Sequence, residues 1–144
     1  MADNLQTIIA ALDGITSVND EAQLAILDNA IQSLMVSDHP ELGTRAMLGC
    51  FERFPDDDVY GVFWTILHGL ESVPGYESAL VESVRRHPSL FGLTMINRIL
   101  NAGGSVINGI DLLALLQDVS QRSDLSEVIK NEAKEFVMWQ HSRA

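Results

Sequence analysis

The chain has 144 residues, 47% of them apolar, with 20 acids against 9 bases for a formal net charge of -11. A chain of this length suits one domain that buries roughly two-thirds of its unfolded surface without staples, and a lone cysteine, Cys50, excludes an internal disulfide framework. The acidity argues against nucleic acid and anionic membrane as partners, because their phosphates would repel it, and favours a basic macromolecule.

The charge is also lopsided. Residues 1–72 hold 12 acids and 2 bases, Arg45 and Arg53, for a net of -10, whereas residues 73–144 hold 8 acids and 7 bases, for -1. A surface serving solubility alone would spread its acids evenly, so the asymmetry points to an acidic face aimed at a partner. The start, MADNLQTIIAALDG, has neither the basic opening nor the apolar stretch of a signal peptide. No run approaches the ~20 apolar residues of a membrane span, so a cytoplasmic protein is expected.

Leu5, Ile8, Ile9 and Leu12 recur at helical spacing before Gly14 and predict a short first helix. Asp20 and Glu21 open a second, whose seam is Leu24, Leu27, Ile31 and Leu34. His39-Pro40 opens a third, with Met47, Cys50, Phe51 and Phe54 buried and Pro55 as its stop. Cys50 has no base beside it in sequence and reads as a small buried hydrophobe.

Asp56 is a suitable N-cap for a fourth helix, with Asp57 and Asp58 in its first turn. On a wheel at ~100° per residue, Val59, Val62, Phe63, Ile66, Leu67 and Leu70 fill a core arc, while Asp57, Tyr60, Trp64, His68 and Glu71 fall on the adjoining flank. Burial against a neighbouring helix is the ordinary fate of such aromatics. The alternative is a binding patch comprising Asp56, Asp57, Asp58, Tyr60, Trp64, His68 and Glu71, since aromatics dominate interface hot spots and acids can meet arginine or lysine.

After the Pro74-Gly75 turn, a fifth helix runs from Tyr76 to the basic Arg85-Arg86-His87 terminus, burying Leu80, Val81 and Val84. Pro88 opens an apolar sixth through Leu90, Phe91, Leu93, Met95, Ile96, Ile99 and Leu100, on which Arg98 must snorkel or find a partner. A seventh starts near Asn108 and uses Leu112, Leu115, Leu116 and Val119, and an eighth from Leu125 uses Val128, Ile129, Ala133, Phe136 and Val137. No sustained period-two alternation predicts a sheet. The expected fold is all-α, about eight helices arranged as HEAT-like antiparallel hairpins in a single domain over residues 1–144, with repeats of roughly 35–45 residues. HPELGTRAML from His39 and HPSLFGLTMI from His87 echo one another at His, Pro, Leu and Met.

No catalytic motif is legible, and the 20 acids carry no specific signal for or against a paired-carboxylate hydrolase. His39, His68, His87 and His141 are scattered without metal-ligand spacing, and a calcium loop begun at Asp56 would place Tyr60 and Leu67 where oxygen ligands are needed. Nucleophile elbow, P-loop and dinucleotide motifs are missing. The expectation is a protein that is no enzyme and uses no metal or cofactor.

The segments DDVYGVFWTILHGLES (57–72) and YESALVESVRRHPSLFGLTMINRILN (76–101), with an aromatic GVFW helix and a closing Arg98-Ile99-Leu100-Asn101, resemble the helical immunity proteins of bacterial polymorphic-toxin and contact-dependent growth inhibition systems. The likeness covers the middle third; the first 38 and last 40 residues carry no such signature. It implies an inhibitor that binds a cognate toxin domain in the cytoplasm and occludes its active site. Many such toxins are nucleases, whose grooves must be basic to hold phosphate, so an acidic inhibitor suits them. The alternative is a HEAT-like adaptor or assembly subunit that uses an apolar groove and responds weakly to salt.

Overall fold

The computed structural model describes residues 2–57 and 61–143. Among these the chain forms eight α-helices, one 3-10 turn and one two-stranded ribbon. It packs as two compact units, one made by the described residues of 1–54 and 58–76, the other by those of 55–57 and 77–144. No described helix is long and apolar enough to cross a membrane.

The first unit contains α1 (Ala2–Asp13), α2 (Glu21–Met35), a 3-10 turn (Pro40–Gly43), α3 (Thr44–Arg53) and α4 (Val62–Glu71). Here α1 packs on α2 and α3, and α4 packs on α2 and α3. The periodic positions supply the core: Leu12, Leu27, Ile31, Leu34, Met47, Phe51, Phe63, Ile66, Leu67 and Leu70 are all buried. Phe51 meets Phe63 edge-on with ring centres 5.2 Å apart, a favoured aromatic geometry. At the start of α2 the Asp20 carboxylate accepts a hydrogen bond from the Ala22 amide at 2.9 Å, filling one of the donors a helix leaves open there.

The other end of α1 is closed from a distance. Arg53 Nη2 donates to the Leu12 carbonyl at 2.7 Å and Nε to the Ile15 carbonyl at 3.2 Å, so a cation sits at the negative end of the helix dipole. The same arginine lies beside Cys50, with Nη2 3.8 Å from Sγ, a basic neighbour that the sequence reading missed. Burial still governs the thiol: desolvation pushes its pKa up to about 11 against the opposing pull of Arg53. Cys50 is a buried, free cysteine, as expected.

Two helix starts in the first unit differ from expectation. His39 makes no side-chain cap, and the chain takes a 3-10 turn at Pro40–Gly43 before α3 begins at Thr44. Gly43 tightens that turn onto α2, since a Cβ there would lie 2.4 Å from Leu34 Cδ2. More important, α4 begins at Val62 behind Gly61, whose φ of 78° ends any continuous right-handed helix from the aspartates. Asp56 is therefore not the N-cap of α4, and Asp57 is not in its first turn. Val59, assigned to the core of that helix, lies outside the described residues.

The second unit contains α5 (Tyr76–Arg86) from Glu77 onward, α6 (Leu90–Asn101), the strands β1 (Val106–Ile107) and β2 (Ile110–Asp111), α7 (Leu112–Gln121) and α8 (Glu127–Arg143). Helix α8 packs on α7 and α6, and Leu80, Val81, Val84, Phe91, Leu93, Met95, Ile96, Leu112, Leu115, Leu116, Val119, Ile129 and Ala133 are buried. Val128, expected in that core, is exposed; it precedes Ile129 on α8, and only the latter faces inward. Arg98, on α6, is exposed.

The ribbon corrects the expectation of no sheet, although each strand has only two residues. Val106 pairs with Asp111 and Ile107 with Ile110, across a turn in which Asn108 and Gly109 have φ of 50° and 76°. Both central residues are left-handed, which is what a type I′ hairpin requires and why Asn-Gly is favoured in it. The ribbon delays α7 to Leu112, where Asp111 caps the helix by accepting from the Ala114 amide at 3.0 Å. The two echoed segments also diverge: Ser89 accepts from the Gly92 amide at 2.9 Å and lets α6 begin at once, while the matching Glu41 provides no such cap and a 3-10 turn results.

Candidate functional site

Three of the seven residues singled out from sequence come together on the outer flank of α4. Trp64, His68 and Glu71 stand at i, i+4 and i+7, the spacing that aligns side chains along one helix face. Trp64 is 43% exposed, so its ordinary fate of burial is not realised. Its ring centre lies 6.0 Å from that of His68, with the planes tilted by 35°. His68 Nδ1 in turn lies 3.8 Å from Glu71 Oε1, with side-chain exposures of 64% and 23%. The three form a ladder of indole, imidazole and carboxylate, held by the buried opposite face of Phe63, Ile66, Leu67 and Leu70.

Asp56 and Asp57 belong to the second unit; Asp56 Oδ1 accepts a hydrogen bond from Ser126 Oγ at 3.1 Å, just before α8, and Asp57 is half-buried. Asp58 and Tyr60 lie outside the described residues.

Charge is divided between the units much as between the halves of the sequence. The first unit's residues carry ten acids and two bases, net -8, and the second unit's carry ten acids and seven bases, net -3. Of the two bases in the first unit, Arg53 is tied to backbone carbonyls. Asp13, Asp20, Glu21, Asp38 and Glu41 of that unit are exposed.

A second exposed aromatic was not singled out from sequence. Trp139, on α8, is 51% exposed beside Met138 at 70%, and the Arg143 guanidinium stands 5.9 Å from the centre of its ring. Asn101 Oδ1 accepts from Trp139 Nε1 at 3.3 Å and Gln140 Nε2 at 2.9 Å, and Arg143 also donates to it. Asn97 Oδ1 accepts from Gln140 Nε2 at 2.7 Å. Two asparagines four apart on an apolar helix were the legible signal. This cluster ties α8 to α6, so its polar atoms serve the fold.

A cavity of about 490 Å³ lies between α1 and the C-terminal end of α2, walled by Leu5, Ile8 and Val36 with Asn4, Thr7, Ser33, Ser37 and Asp38. Asp38 supplies the carboxylate among its described lining residues. Among the described residues no three histidine, cysteine, aspartate or glutamate side chains converge as a metal site would require. No protein-family model, curated protein or solved structure matches this chain.

Proposed function

We propose that the protein is an immunity protein: an acidic helical inhibitor that binds a cognate basic toxin domain, with nucleases the leading class, and occludes its active site in the cytoplasm. The observation that carries this reading is the ladder of exposed Trp64 and His68 with half-buried Glu71, on a unit whose net charge is -8. An exposed tryptophan flanked by acid is the composition of an interface hot spot facing a basic partner. Long-range attraction from the surrounding carboxylates would speed encounter, and the aromatic contact would slow release. The sequence resemblance supports the same reading.

The test is rescue. The toxin domain encoded beside this chain's gene is expressed in a sensitive host with and without the protein; survival and a stable complex of the purified pair are expected. Survival that is unchanged, with no complex at low salt, would contradict the proposal and favour the adaptor reading.

A further inference from the structure

On the α4 flank the imidazole of His68 occupies the position that an incoming cation would take. Its ring lies 6.0 Å from the centre of the Trp64 ring, at the edge of cation–π range, and its Nδ1 lies 3.8 Å from the Glu71 carboxylate, within ion-pair range. A guanidinium placed where that imidazole now sits would lie at the edge of cation–π range of the indole and within ion-pair range of Glu71 at once. An ammonium, a compact and strongly hydrated charge without a planar face, makes the aromatic contact less well and shares only the second fully. His68 is 64% exposed, and exposed side chains change rotamer within picoseconds to nanoseconds, so the place can be vacated without disturbing the core beneath it.

We propose that the outer flank of α4 is an arginine-reading site, in which Trp64 and Glu71 hold a partner's guanidinium and His68 is the resident group it displaces. This deepens the basic-partner reading and rests on it for biological meaning. The charge of the first unit, -8, attracts any cation, but only the ladder distinguishes arginine from lysine. His68 competes with the ligand, and its removal therefore strengthens binding while removal of either neighbour weakens it.

The experiment titrates octa-arginine and octa-lysine peptides into the protein at pH 8 and low salt, followed by calorimetry and by Trp64 fluorescence in a Trp139→Phe background. Octa-arginine is expected to bind roughly two- to fivefold tighter than octa-lysine, the range of one exposed cation–π contact. Trp64→Leu should bring that ratio toward one with little loss of octa-lysine affinity, Glu71→Gln should weaken both peptides, and His68→Ala should raise octa-arginine affinity. Circular dichroism and thermal midpoints confirm that each surface variant remains folded. Equal affinity for the two peptides, a preference that survives Trp64→Leu, weaker arginine binding by His68→Ala, or no binding of either peptide each overturns the site. Because no toxin is present, these outcomes are independent of the rescue test: a toxin captured equally well by Trp64→Leu would leave the inhibitor standing and remove the arginine site.

Discussion

The two units use their polar side chains differently. In the first, Asp28 pairs with Gln32 and Glu41 with His39, close by in sequence, and Arg53 and Cys50 reach across to the end of α1. In the second, polar groups bridge elements far apart in the chain: Asn108 to Ser78, Arg122 to the Arg85 carbonyl, Ser126 to Asp56, and the Asn97, Asn101 and Gln140 cluster. Arg122 also holds the Asp124 carboxyl below its usual range by hydrogen bonding. The lesson is one of division of labour. The second unit engages polar groups in its own architecture, whereas the first rests on apolar burial and presents its charge outward.

Apolar burial should dominate stability in both units. Leu67→Ala in α4 and Leu116→Ala in α7, both fully buried, should each cost about 2–5 kcal/mol in chemical denaturation. A cost below about 1 kcal/mol for either would break the picture of that unit as one held by its core.

The next effect belongs to the first unit alone. Burial raises the Cys50 pKa from 9.0 to about 11, so the folded thiol keeps its proton where the unfolded one has lost it. The unfolded state binds fewer protons in that window, and stability falls as pH rises. The thiol's contribution is intact below about pH 9 and is lost toward pH 11, on the order of 3 kcal/mol at about 1.4 kcal/mol per pKa unit. Comparing the parent with Cys50→Ala across that range isolates it from other titrating groups; parallel pH profiles would show that the thiol is solvated.

Smaller still, and sharper for the comparison, are the polar deletions. Asn101→Ala removes the acceptor shared by Trp139, Gln140 and Arg143 and should cost about 1–2 kcal/mol by detaching the end of α8. Arg53→Met should cost a similar ~1–2 kcal/mol by uncapping α1. Glu21→Lys and Asp38→Lys, on exposed positions of the first unit, should change stability by no more than about 0.5 kcal/mol. A larger loss from the lysine reversals than from Asn101→Ala would invert the division of labour.

The helices were legible where one face repeats, as with Leu27, Ile31 and Leu34 or Leu112, Leu115, Leu116 and Val119, because burial selects side chains by the helical period. Their starts were less so. A glycine reads as neutral in a pattern, yet the left-handed Gly61 moves the start of α4 past the aspartates, and two-residue strands are too short for alternation to reveal, although Asn108-Gly109 is a hairpin signal in its own right. The Trp64, His68 and Glu71 ladder followed from spacing, but its exposure did not, since the wheel gives direction and not what lies opposite. That Asp56 would bond Ser126, 70 residues away, was invisible to any local rule.

The central claim, that the first unit's outward charge serves capture of a basic partner, is tested most directly by stopped-flow association of the cognate toxin domain across a salt series. The parent is compared with lysine reversals of Asp13, Glu21 and Asp38 and with reversals of Asp118, Glu127 and Glu135, all exposed. The association rate should fall roughly tenfold or more from low to physiological salt, and the first set should slow low-salt capture more than the second. A rate indifferent to salt, or a larger loss from the second set, would contradict the claim.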